Sequence, residues 1–241
     1  MVKGFHMRKI ALIGGTPDRL NAPWGDKTWE IWALHPWALV PGKMIPVAPD
    51  AWFEMHAYRD MISRKLPTLP SPLVEKKGGR LHVSDYWRKV LPEVEQPIYM
   101  QRHFDAKINI PTSVRYPIEA VVDEFGKIFT CTIAYMIALA ILKKPDVIGL
   151  WGMVGDFRKA EYQIQKPTVE WLLGQIGIRG MELIITTDIP EACRLEPKPN
   201  GEPSYPPVLY AYDWTSKDAW WRYENWDSQY WTKPKGGVVE A

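Results

Sequence analysis

Glu54 and His56 stand two residues apart in the run Trp52-Phe53-Glu54-Met55-His56. On an extended strand that spacing puts both side chains on one face. A carboxylate beside an imidazole can serve as a general acid/base pair or hold a substrate hydroxyl. The plainer alternative has His56 bonding backbone and Glu54 pairing with a nearby Arg or Lys. A metal would need a third ligand, and no acidic metal motif stands out, so a mechanism without metal or cofactor is expected. A second group is Gly14-Gly15-Thr16-Pro17-Asp18, which follows an apolar strand. That is the context of a loop whose backbone can approach a phosphate, or of an ordinary strand-ending turn. Asp18 could bond a ribose hydroxyl or cap the turn that follows.

A third group, Thr130, Cys131 and Thr132, heads a long apolar run. Backbone N–H groups at a helix N-terminus are unpaired and aligned with the dipole, which suits them to a nucleotide phosphate. His35, Gln101 and His103 follow other strand-like segments, and each alone reads as a satisfied loop residue. Arg115 could meet a phosphate or pair with Glu119, four residues on. Beyond the strand 147–151, Gly152 permits close backbone approach, Tyr162 could hold a phosphate oxygen, and Glu161 could act as a base. The same stretch reads equally as a surface loop and the acidic start of a helix. No Gly-x-Ser-x-Gly elbow and no Cys/His pairing point to covalent catalysis.

These residues need elements to hold them. Short apolar segments at 8–13, 28–34, 52–56, 97–101, 147–151 and 182–186 read as six strands. Helices are expected at 118–125 after Pro117, at 133–142, and from Pro167 to about 177, with Pro at a first helical position. Lys143-Lys144-Pro145 breaks the chain between helix and strand. Short apolar strands alternating with helices define an α/β fold: a single Rossmann-like, mostly parallel sheet with helices on both faces. Ligands then bind outside the C-terminal ends of the strands. Residues 57–97 read as an insertion rich in Pro, Lys and Gly, with one helix at 84–90. The domain is expected to span 1–196. A Pro-rich linker at 197–207 leads into an aromatic-rich C-terminal arm, with nine aromatics between 210 and 231. The arm would fold over the sheet or a sister subunit, cover a ligand, or stack nucleic-acid bases.

Composition narrows the function classes. Lys plus Arg number 30 against 28 Asp plus Glu, so charge alone would not hold the chain to nucleic acid. Two cysteines, Cys131 and Cys193, lie far apart without metal spacing, consistent with a reduced, cytoplasmic setting. No apolar run reaches transmembrane length, and the first residues lack a signal-peptide apolar region.

The chain resembles bacterial sialyltransferases that build lipooligosaccharide, and also motility-accessory-factor and hydroxymethylpterin-diphosphokinase-like domains. Those groups share a first strand running into a Gly-x-Gly-Pro-Ser-type turn, matched by Gly14-Gly15-Thr16-Pro17-Asp18. They also share a Thr-Ser-Gly-x-x-Met helix start, matched by Cys131-Thr132-Ile133-Ala134-Tyr135-Met136, followed by a strand that here ends Trp151-Gly152-Met153. The Trp-Phe-Glu-Met-His strand is similar to one in uncharacterised phage-encoded proteins. The sialyltransferase resemblance implies a nucleotide against Gly14, Gly15, Thr16, Cys131 and Thr132, with His35 near the end of the second strand and Tyr162 on a phosphate. The family's catalytic His follows the Tyr loop, and here no His lies beyond His103; the base then falls to His56 or Glu54. The resulting expectation is a nucleotide-binding transferase, glycosyltransferase-like, acting on a carbohydrate or a modified DNA base and free to assemble through its arm. The alternatives are a protein that sequesters a nucleotide without turnover and a phage structural or host-takeover protein.

Overall fold

The computed structural model describes residues 7–36, 45–57, 86–104, 109–153 and 160–185. The linker and aromatic arm, and most of the 57–97 insertion, lie outside the described residues. Seven strands form one sheet: β1 (Lys9–Ile13), β2 (Trp29–Leu34), β3 (Ala51–Phe53), β4 (Ile98–Met100), β5 (Ser113–Arg115), β6 (Val147–Trp151) and β7 (Glu182–Ile185). Their order is β5-β4-β3-β2-β1-β6-β7, and every neighbouring pair is parallel. The chain therefore winds outward one way from β1 to β5, then returns to β1's other side with β6. That reversal opens a switch point between the exits of β1 and β6.

The sheet has seven strands where about six were expected. The extra one, β5, is a three-residue edge strand with Val114 and Arg115 exposed, too short to show an alternating pattern. The third strand is also shorter than expected. It ends at Phe53, so Glu54 and His56 lie just past it.

The central strands are apolar without a break because both faces are covered. Residues 10–13 of β1 and all of β6 are buried. On one face Ile10, Leu12, Trp32, Phe53, Ile148 and Leu150 meet three α-helices. These are α1 (Ile118–Phe125), α2 (Thr132–Leu142) and α3 (Ala160–Ile178). α2 is sandwiched between the sheet and its neighbours α1 and α3, which explains an apolar sequence with almost no polar stripe. On the other face Ala11, Ile13, Ala33, Trp52 and Ile98 pack with Trp87 and Leu91. Those two come from a one-turn π-helix (Tyr86–Val90) and a 3-10 turn (Leu91–Glu93). Among the described residues no helix is long and apolar enough to cross a membrane.

α3 begins seven residues earlier than expected, at Ala160, and carries Pro167 in its interior. Proline withholds one helical hydrogen bond and normally ends or kinks a helix. Here a fully buried stripe, Ile164, Thr168, Leu172 and Ile176, continues on both sides of it at four-residue spacing. Packing of that stripe outweighs the local preference. The Thr168 hydroxyl also donates to the Ile128 carbonyl at 2.6 Å, tying α3 to the segment before α2.

The same helix buries Glu170. Lys166 Nζ lies 3.8 Å from its carboxylate, and among the described residues neither oxygen accepts a hydrogen bond. Burial pushes the carboxyl up to about 7, with the Lys166 charge pulling the other way. The folded chain thus keeps a proton that the unfolded chain has released, so stability falls as pH rises from about 4.5 to about 7. Glu170→Gln is expected to flatten that fall and add on the order of 2 kcal/mol at pH 8. Urea unfolding across this pH range checks it; an unchanged slope in the variant would refute the assignment.

Candidate functional site

His35 is the first residue after β2 and Glu54 the first after β3. Sheet pairing continues one step beyond the strands: the His35 N–H donates to the Phe53 carbonyl at 3.0 Å, and the Glu54 N–H to Tyr99 at 2.9 Å. Both residues are therefore fixed by the ladder rather than by loops. Met55 joins Ala51 and Phe53 in the core under the helices, so alternation puts Glu54 and His56 on the side of Trp52.

The Glu54 carboxylate is fully buried and reaches one imidazole with each oxygen. Oε2 lies 3.2 Å from His35 Nδ1, and Oε1 lies 2.5 Å from His56 Nδ1. Oε1 also accepts the His56 backbone N–H at 3.2 Å. The two rings lie one against the other, centroids 4.7 Å apart and tilted by 37°. Burial alone would raise the Glu54 carboxyl. The charges and hydrogen bonds of His35 and His56 more than offset it and hold the group well below the usual carboxylate range. The His side chains keep 15% and 27% of their surface exposed against 0% for Glu54. A buried anion thus presents two imidazoles to an accessible edge. His35 takes a left-handed backbone, with φ at 32°. That conformation costs a non-glycine residue about 1–2 kcal/mol, and such strain is characteristic of functional sites.

The glycine turn lies one strand further on, at the switch point. Thr16 donates its hydroxyl to Asp18 Oδ1 at 2.5 Å, and Asp18 Oδ2 accepts the Gly152 N–H at 2.8 Å. The Gly14 and Thr16 N–H groups donate to the Trp151 and Gly152 carbonyls at 2.8 and 3.1 Å. Gly14, Thr16, Asp18 and Gly152 therefore knit the exits of β1 and β6 together. Gly15 differs: a side chain there would meet nothing within 4 Å.

Sequence reasoning passed over Arg19. It is buried in the 3-10 turn Pro17–Asn21, and its guanidinium donates to the Gly15 carbonyl at 2.7 Å. This sets a buried positive charge beside Gly15. The only signal was a basic residue four positions after a glycine.

Most of the other expected members are held by contacts of their own. Thr130, Cys131 and Thr132 are buried at the head of α2, where the Thr130 hydroxyl turns toward Thr168 at 3.4 Å. Arg115 ends β5, four strands from β1 or roughly 19 Å at about 4.8 Å per strand, and forms a short ion pair with Glu119. Gln101 donates to the Met55 carbonyl at 2.9 Å, and the His103 ring bonds Ser113; neither joins the histidine pair. Glu161 and Tyr162 fall in the first turn of α3, with side chains outside the described residues.

Fold and site together define an α/β protein with a single parallel Rossmann-like sheet and a carboxylate-bridged histidine pair at its C-terminal edge. No protein-family model matches the chain, and no curated protein matches it. Among solved structures it is similar to the sialyltransferase CstII from Campylobacter jejuni, solved with a substrate analogue, cytidine-5'-monophosphate. The identity is 14% over 81% of this chain and 88% of that one, with a TM-score of 0.41.

Proposed function

We propose that this protein is a nucleotide-binding transferase of the glycosyltransferase kind, moving a sugar from a nucleotide-activated donor to an acceptor hydroxyl. The observation that carries the reading is the buried Glu54 carboxylate oriented on His56 at the exit edge of a parallel sheet, beside the switch-point turn. Ligands of open α/β sheets bind along that edge. His35 and Glu54 follow the first and second strands from β1, about 5 and 10 Å along the sheet. A donor with its phosphate over Gly15 and Arg19 would bring its sugar toward His56.

In this reading the His56 Nδ1–H donates to Glu54, which fixes the tautomer and leaves Nε2 as the basic atom. The acceptor hydroxyl gives its proton to Nε2 as its oxygen bonds to the anomeric carbon. The bond from that carbon to the phosphate oxygen breaks, and the nucleotide leaves with the electron pair. Arg19 would stabilise the charge gathering on the leaving phosphate. His35 supports Glu54 from its other oxygen.

Thermal unfolding against cytidine and uridine nucleotides and their sugar conjugates tests the binding half. A ligand at about a hundred times its dissociation constant adds roughly 2.7 kcal/mol, and Arg19→Ala is expected to abolish the shift. Absence of a shift with every nucleotide would overturn the proposal.

A further inference from the structure

We propose that His35, Glu54 and His56 form a binding site for one divalent cation of the zinc or cobalt type. Among the described residues they are a group of three metal-capable side chains whose donor atoms lie within 4.8 Å of one another. The sequence offered two ligands at β3; the fold brings the third, His35, from β2.

The donor set decides the class of ion. Two imidazole nitrogens and one carboxylate suit borderline divalent ions, whereas magnesium and calcium take oxygen shells. Metal–nitrogen and metal–oxygen bonds near 2.1 Å put neighbouring donors about 3.0–3.4 Å apart in octahedral or tetrahedral geometry. The His35–Glu54 separation of 3.2 Å already fits. The His56–Glu54 separation of 2.5 Å is that of a proton-bridged pair and must open by about half an ångström or more. Each ring needs only to carry its proton on Nε2, so that the Nδ1 lone pair faces the ion. Three protein ligands on a partly exposed edge leave coordination positions for water or substrate, the pattern of catalytic rather than structural sites. The left-handed backbone at His35 is consistent with a residue held for its side chain rather than for its fold.

This inference does not rest on the transferase reading, because it requires no nucleotide. The two uses of His56 exclude each other: a ring bound to metal through Nδ1 carries its proton on Nε2 and cannot accept another there. A metal-loaded site would therefore not use the ring as base.

The test is titration of the full-length, metal-stripped protein with Co2+ in the absence of nucleotide, followed by visible absorption. One equivalent with a d–d spectrum is expected. His35→Asn, chosen because asparagine tolerates a left-handed backbone, and His56→Ala should each weaken binding at least about tenfold. His103→Ala should leave it unchanged. X-ray absorption of the wild-type complex should show two imidazoles in the first shell, which keeps the test valid if a variant fails to fold. No bound Co2+, or wild-type affinity and spectrum retained in His35→Asn and His56→Ala, would overturn the proposal whatever the nucleotide experiments show.

Discussion

His56→Ala is expected to lower nucleotide-sugar turnover by about 10²–10⁴-fold, the range that a positioned general base contributes, while nucleotide affinity holds. The separation follows from the layout. The phosphate end of the proposed donor rests on Gly15 and Arg19 at the exits of β1 and β6, whereas His56 follows β3, two strands away. Metal-stripped protein should be used, with release of free nucleotide from the sugar donor showing the largest thermal shift and water as acceptor. Glu54→Gln sharpens the test. A glutamine turns an N–H donor toward one of the rings now facing a carboxylate oxygen. If that ring is His56, its proton is forced onto Nε2 and the basic lone pair is lost. The variant should bind nucleotide yet lose about 10²-fold or more in rate. Normal turnover in His56→Ala would place the proton acceptor elsewhere. Nucleotide binding with no turnover in the wild type would mark a sequestering protein.

How far the residues alone revealed this layout depended on the range of the interaction. α1 was legible to the residue, because Pro117 and Gly126 bracket an amphipathic stretch. β6 was equally clear as five apolar residues after a break, where Lys144 takes a left-handed backbone. Both signals are local. β5 gave none, since three residues with two exposed carry no period. The start of α3 was misplaced because Pro167 is a strong local cue, while the buried stripe that overrides it becomes meaningful only against α2 and the sheet. The site divided in the same way. Glu54 and His56 were visible as a pair from their spacing. His35, nineteen positions before Glu54, could be joined to them only by knowing that β2 and β3 are neighbours. Arg115 could meet a phosphate or pair with Glu119 as far as spacing alone goes, and the fold places it beside Glu119 at the end of an edge strand. Arg19 was hidden in a turn that seemed occupied by its glycines and Asp18.

Gly14→Ala is expected to cost about 3–5 kcal/mol, the larger of the stability effects argued for this chain. A methyl group built on Gly14 would lie 2.0 Å from the Gly152 carbonyl oxygen and 2.6 Å from its carbon. Both atoms are backbone, so no side chain can swing aside. The exits of β1 and β6 would have to separate by about an ångström. That strains the bonds from Gly14 N–H to Trp151 and from Thr16 N–H to Gly152, worth about 1 kcal/mol each. Overpacking adds roughly 1–3 kcal/mol. The approach is equally close from the other side: a methyl group built on Gly152, whose φ is 68°, would lie 2.8 Å from Arg19 Cβ and 2.9 Å from the Gly14 carbonyl oxygen. Gly15→Ala supplies the contrast one residue on. A side chain there meets nothing within 4 Å, and stability should change by less than about 0.5 kcal/mol. What Gly15→Ala should lose is nucleotide, since its methyl group would enter the space proposed for the phosphate. Chemical denaturation and nucleotide titration of the two variants separate the glycine that closes the sheet from the one that leaves room beside it. Equal stabilities would mean that the β1–β6 exit is looser than this packing requires. Undiminished nucleotide affinity in Gly15→Ala would move the donor away from the turn.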